Sequence, residues 1–149
     1  MPGHTEGAEA PITARRKMGP PSGRGDADPV GQGAPHLTIR VDFGAAGSFG
    51  PGKARLLALI DEHGSIAAAG RIMRMSYRRA WLLVEEMNAM FANPLVASQH
   101  GGRAGGGATL SPLGRSVLAA YREIETASAT ACAGATAQLR DALAKTHED

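Results

Sequence analysis

Two serines organise the middle of this chain. Ser65 and Ser76 each stand directly before a stretch with apolar residues at three- and four-residue steps, and each follows a helix-ending pair, His63-Gly64 or Arg74-Met75. A serine in that place accepts a hydrogen bond from the first turn of a helix, while a preceding glycine or turn residue closes the helix before it. The pattern therefore predicts three consecutive helices. The first runs over Lys53 to Glu62 with Leu56, Leu57, Leu59 and Ile60 inward. The second is short, with Ile66, Ala69, Ile72 and Met73 inward, and its run Ala67, Ala68, Ala69, Gly70 lets another helix come close. The third covers Tyr77 to Phe91, with Tyr77, Ala80, Trp81, Val84, Met87, Asn88 and Phe91 on one face and Trp81 read as core.

The flanks change period. Leu37, Ile39, Val41 and Phe43 alternate with polar residues, which predicts a half-buried strand ended by the glycine-rich Gly44 to Gly52. After Asn93-Pro94, Leu95 to Gln99 reads as a strand, His100 to Gly107 as a loop with five glycines, and Ala108 to Leu110 as the returning strand. Ser111-Pro112 is a cap followed by proline at the first helical position. A long helix is expected from about Leu113 to Ala144, weakened at Gly134. The fold class expected is mainly α with a small β wing: a winged helix-turn-helix with a long C-terminal helix.

Residues 1–36 stand apart. They hold six prolines and seven glycines, with only Ile12, Met18 and Val30 to anchor a core. Too little apolar surface is available there to offset ordering entropy, so the reading is a disordered tail. Arg15, Arg16, Lys17 and Arg24 balance Glu6, Glu9, Asp26 and Asp28, so the tail is neutral; it is either a solvated tail or a basic arm following DNA. The division expected is 1–36 tail, 37–112 winged domain and 113–149 long helix.

Composition excludes more than it selects. With 149 residues and 43% apolar content the chain suits one core, and with 4% aromatics that core is aliphatic. Cys132 is alone, so no disulfide within the chain and no thiolate metal cage is expected; the thiol is read as buried or packed on a helix. The N-terminus lacks an apolar signal segment and no run approaches the ~20 residues of a spanning helix, which points to a cytoplasmic, bacterial protein with no membrane partner. His4, His36, His63, His100 and His147 are scattered without ligand spacing. The glycine run is not followed by Lys-Ser or Lys-Thr, so it is no nucleotide loop. Glu85-Glu86 reads as a charged helix surface. No cofactor, metal or enzymatic constellation is expected.

The net charge of +2 is uninformative, but its placement is not. Arg71, Arg74, Arg78 and Arg79 fall in a stretch without an acid, around the start of the third helix. That end of the second helix of a helix-turn-helix enters the major groove, where arginine forms two parallel bonds to guanine or to phosphate. Ser76 and Tyr77 add hydroxyls, although Tyr77 suits a core position equally well. The backbone N–H groups that open helices at Ser65 and Ser76 favour phosphate oxygens. Arg103, among the wing glycines, can reach a minor groove or a phosphate. The DNA-binding set expected is Ser65, Arg74, Ser76, Tyr77, Arg78, Arg79 and Arg103.

Gly64-Ser65-Ile66, Ser76-Tyr77-Arg78 with Ala80-Trp81, Glu86-Met87-Asn88, and above all Gly101-Gly102-Arg103-Ala104-Gly105-Gly106-Gly107-Ala108-Thr109-Leu110 make Leu37 to about Tyr121 resemble the N-terminal domain of ModE-type molybdate-responsive transcriptional regulators. More distantly the arrangement is similar to the LysR-type DNA-binding domain. The resemblance implies a transcriptional regulator that binds a palindromic operator in double-stranded DNA as a homodimer. ModE-type regulators continue into small β-barrel modules that bind molybdate; no such strand-rich segment is visible here, so molybdate is not expected to bind this chain.

The helix after the wing shows Leu113, Val117, Ala120, Tyr121 and Ile124 facing the domain, then Ala127, Ser128, Ala131, Ala135, Leu139 and Leu143 as a stripe suited to a second helix. That stripe is expected to dimerise; a monomer whose last helix folds back is the alternative. The rival to a DNA-binding regulator is a protein-interaction or partner-dependent accessory module on the same scaffold, its arginines meeting acidic residues or RNA.

Overall fold

The computed structural model describes residues 35–99 and 107–144. The fold is mainly helical, with two small antiparallel two-stranded sheets. The first sheet joins β1 (Val41–Asp42) to β2 (Ser48–Phe49), with Val41 opposite Phe49. The strand expected over Leu37 to Phe43 is thus cut to its end, and the glycine-rich stretch after it supplies the partner. The reason is local. Gly44 and Gly47 take positive φ (66° and 112°), Gly44–Ala46 forms a 3-10 turn, and the Phe43 N–H bonds the Gly47 carbonyl at 2.8 Å, so the chain reverses within a few residues. Phe43 and Leu37 stay largely exposed, and Phe49 is the aromatic that enters the core.

α1 (Pro51–His63) has proline near its start and ends on Gly64, which adopts the left-handed conformation. α2 (Ile66–Ile72) and α3 (Tyr77–Met90) begin as expected: the Ser65 Oγ accepts from the Ala68 N–H and the Ser76 Oγ from the Arg79 N–H, both at 3.1 Å. Gly70 explains the close approach of α2 and α3, since a Cβ there would lie 3.1 Å from the Ala80 Cβ. Two inward assignments fail. Ile72 is 41% exposed and Trp81 is 40% exposed. α2 is only two turns long and buries its N-terminal part, while the faces of α3 that pack are those of Ala80, Val84 and Met87.

β3 (Val96–Ser98) and β4 (Ala108–Leu110) pair with Val96 opposite Leu110. The Ala108 N–H also bonds the Gly64 carbonyl at 2.9 Å, tying this hairpin to the turn between α1 and α2. α4 (Pro112–Ala131) starts at Ser111, whose Oγ accepts from the Gly114 N–H and donates to the Pro94 carbonyl at 2.6 Å.

The core gathers Phe49 from β2, Leu56, Leu57 and Ile60 from α1, Val84 and Met87 from α3, Leu95 and Leu110 from the hairpin, and Tyr121 from α4. Tyr121 reaches across the fold: its hydroxyl donates to the Ile39 carbonyl at 2.7 Å and its ring meets Phe49 edge-on. Burial first, and the nearby Glu125 carboxylate second, push its phenol above the ordinary 10.0, against a smaller pull from Arg122, so it remains a neutral donor. This bond holds the segment before β1 against α4.

The long C-terminal helix divides. α5 (Ala133–Asp141) follows a break at Cys132, two residues before the glycine at which weakening is expected. The Cys132 carbonyl accepts both the Thr136 N–H at 2.8 Å and the Thr136 hydroxyl at 2.7 Å. A threonine hydroxyl bonding back to the carbonyl four residues earlier bends helices. Cys132 itself is exposed, not packed as expected. Ile124 is 41% exposed and Ala120 is exposed too, so neither packs on the domain as expected.

Candidate nucleic-acid interface

The turn between α2 and α3 is built from backbone bonds. The Arg74 N–H reaches the Arg71 carbonyl (3.1 Å) and the Met75 N–H reaches the Gly70 carbonyl (2.9 Å). Arg74 makes this turn with a φ of 57°, the one positive φ among the described non-glycine residues. A side chain in the left-handed region costs roughly 1–2 kcal/mol, and a glycine would avoid it. α3 then starts at Ser76 with Tyr77, Arg78 and Arg79 in its first turn.

The expected residues are placed as follows. Arg74, Ser76, Tyr77, Arg78 and Arg79 are exposed, as is Arg71, and Ser65 is half-buried at the start of α2. Arg71, Arg74, Arg78 and Arg79 form no ion pair with a described residue, whereas Lys53, Arg115 and Arg122 each meet an acid. The serine hydroxyls serve as helix caps, which uses one acceptor site and leaves each O–H free to donate. Tyr77, which the sequence leaves open between core and surface, is 57% exposed. Arg103 and the glycines from Gly101 to Gly106 lie outside the described residues.

The start of α3 sits beside the loop end of the β3–β4 ladder. Tyr77 and Trp81 on α3, Ile66 at the start of α2, and Ser98, Gln99 and Gly107 at the hairpin line one shallow cleft of about 60 Å³. Small-molecule sites usually span ~300–1,000 Å³, so this is a surface furrow and no metabolite pocket. Among the described residues no group of three His, Cys, Asp or Glu side chains is gathered for a metal, and no helix is long and apolar enough to cross a membrane.

Three supporting residues escape a reading of the sequence. Asn88, by spacing one more inward position, receives the Leu95 and Val96 N–H groups on its Oδ1 (2.9 and 3.1 Å) and donates from Nδ2 to the Val96 carbonyl (3.1 Å). It fastens α3 to the hairpin, and an asparagine on an otherwise apolar helix face is the available signal. Lys53 bonds Glu86 (2.8 Å) and the Ser48 carbonyl (2.5 Å), with its side chain only 12% exposed, so Glu86 is a tie between α3 and α1 as well as a charged surface. Trp81, by spacing a core residue, is part of the exposed furrow, and nothing in its helical position distinguishes the two.

The described domain is therefore a small helical body presenting an unpaired basic helix start next to a β-hairpin. No protein-family model matches the chain. Its sequence is similar to the molybdenum-pterin-binding protein MopB of Rhodobacter capsulatus, 47% identical over 76 residues, which is 51% of this chain and 28% of that protein. It is 38% identical over 89 residues to the molybdenum transport protein ModE of Azotobacter vinelandii, covering 60% of this chain and 32% of the relative. The DNA-binding transcriptional dual regulator ModE of Escherichia coli is 35% identical over 71 residues, 48% of this chain and 27% of that regulator. The matched part thus spans about three-tenths of these relatives' length.

Proposed function

We propose that this chain is a DNA-binding transcriptional regulator in which α2, the Arg74 turn and α3 form a helix-turn-helix and the β3–β4 hairpin is its wing. The observation that carries the reading is the basic start of α3: Arg74, Arg78 and Arg79, exposed and without acidic partners among the described residues, at the helix end that enters a major groove in this motif. Intramolecular ion pairs engage other basic side chains of the domain, so these are left for an external anion. The strained Arg74 backbone supports it, because a cationic side chain stands where glycine would cost less. The names of the similar proteins, transcriptional regulators among them, point the same way.

In this reading Arg78 and Arg79 contact base edges and phosphates, Ser76 and Tyr77 donate hydroxyl bonds, and Ser65 with the first turn of α2 faces a phosphate. Arg103, which lies outside the described residues, is proposed as a further phosphate contact.

Fluorescence anisotropy on the duplex upstream of its own reading frame, against scrambled duplex, tests the function. Binding is expected to be sequence-selective and to weaken with salt at a log–log slope of about −0.9 per contacted phosphate. Arg78→Ala and Arg79→Ala are each expected to weaken binding roughly 5- to 150-fold and to alter which sequences bind. Equal, weak binding to scrambled duplex would replace this reading with a partner-dependent accessory module.

The regulator is a homodimer on a palindromic operator, joined through α4 and α5. Leu139 and Leu143 are 71% and 70% exposed, and Ala127, Ala131 and Ala135 lie along the same helices. Sedimentation equilibrium at tens of micromolar is expected to give a dimer whose dissociation constant rises on Leu139→Glu. A monomer under those conditions rules the arrangement out.

A further inference from the structure

The exposed part of α3 is not uniformly polar. Tyr77 (57% exposed) and Trp81 (40%) lie one helical turn apart and line the same furrow. Large apolar side chains gathered on one exposed face mark a contact surface. Here that surface is bordered by Arg74, Arg78 and Arg79, a charge pattern that repels a basic partner and fits an anionic one. Duplex DNA combines a phosphate border with one kind of apolar group on its major-groove floor, the C5-methyl of thymine.

We infer that Trp81, with Tyr77, is a specificity-determining residue that reads thymine through its methyl group, in the furrow between α3 and the loop end of the β3–β4 ladder. The inference rests on the DNA-binding reading above and adds to it a residue that the helical pattern assigns to the core. Arginine bonds select guanine or phosphate and say nothing about A·T pairs; the aromatic pair supplies that missing discrimination. A furrow of about 60 Å³ is on the scale of a small apolar group and far below a metabolite pocket. The aromatic rings of Tyr77 and Trp81 from α3 form one wall, and Ser98, Gln99 and Gly107 of the hairpin form the other.

The operator need not be identified beforehand. Full-length protein selects tight binders from a randomised duplex pool, and each thymine of the selected site is then replaced singly by deoxyuridine. That change removes the methyl and keeps every hydrogen-bonding group. At one or two thymines per half-site the loss expected is about four-fold, the value of one buried methyl. Trp81→Ala should bind thymine and deoxyuridine duplexes equally at those positions, Trp81→Phe should retain part of the difference, and Arg78→Ala should weaken both duplexes while keeping the difference. Thermal melts confirm that each variant is folded. Selective binding without any thymine–deoxyuridine difference, or a difference that survives Trp81→Ala, overturns the methyl-reading role and leaves the DNA reading standing. Failure to select any duplex overturns the DNA reading itself.

Discussion

Gly114→Ala will lower the melting temperature by roughly 10–20 °C, equivalent to about 3 kcal/mol in a domain of this size. Gly114 lies in the first turn of α4, and a Cβ there would overlap the Leu95 carbonyl oxygen and sit 3.0 Å from its carbon. The obstacle is backbone, so no rotamer relieves it. Nor can Leu95 simply withdraw. Its side chain is fully buried, its carbonyl accepts the Ser111 N–H at 2.8 Å, and its own N–H is held by Asn88. α4 must therefore lift away from the hairpin, which strips Tyr121 from Phe49. The control is Gly134→Ala in α5, where an added Cβ meets nothing within 4 Å. Helix propensity alone should make that change stabilising by about 0.5 kcal/mol. Two glycine-to-alanine changes in helices thus have opposite signs, and differential scanning calorimetry distinguishes them. A fall of only a degree or two for Gly114→Ala would show that α4 does not approach Leu95 this closely.

The second large effect is expected at Asn88. Its amide engages both backbone groups of Val96 and the N–H of Leu95, as a neighbouring strand would. Asn88→Ala leaves two donors and one acceptor without partners in a partly buried place, and each orphaned group costs roughly 1–3 kcal/mol. Water will re-enter and recover part of this, so a net loss of about 3 kcal/mol is expected in urea denaturation. Asn88→Asp separates the contributions. The carboxylate still accepts from Leu95 and Val96, but the Nδ2 donor is gone and an anionic oxygen faces the Val96 carbonyl. Its loss should shrink as pH falls and the carboxyl gains a proton, which restores a donor. Hydrogen exchange at Ala97, Ser98 and Thr109 should accelerate in both variants, because the hairpin is then anchored by β4 alone. Unchanged exchange there would mean that Asn88 does not position the hairpin. On the proposed DNA-binding reading, loosening the hairpin is also expected to lower duplex affinity.

Local signals are readable where one residue decides the outcome. Ser65, Ser76 and Ser111 cap helices because a hydroxyl at that point satisfies an N–H that otherwise has no partner, and Gly64 ends α1 because its φ of 64° suits glycine. The β3–β4 pairing follows from two short apolar runs around a glycine loop. Alternation misleads at Leu37 to Phe43, since a period of two marks a strand only if another strand is available along its length. Two glycines with positive φ turn the chain back at once, so pairing is limited to Val41–Asp42 and Ser48–Phe49. Helical spacing likewise misplaces Ile72 and Trp81. It reports which residues share a face and not how wide a strip of that face is covered.

Neighbours along the chain settle the order of the helices, their caps, the hairpin, and the concentration of arginine without acid between Arg71 and Arg79. Short-range hydrogen bonding and steric limits act over a few residues, so these features are written in the sequence directly. Four others arise only when distant elements meet: Asn88 becomes a clasp, Gly114 a contact point with Leu95, Tyr121 the anchor of Ile39, and Trp81 an outward-facing ring beside the hairpin. Each depends on a partner on another element, and its direction is set by how α1, α3, the hairpin and α4 close around one small aliphatic core.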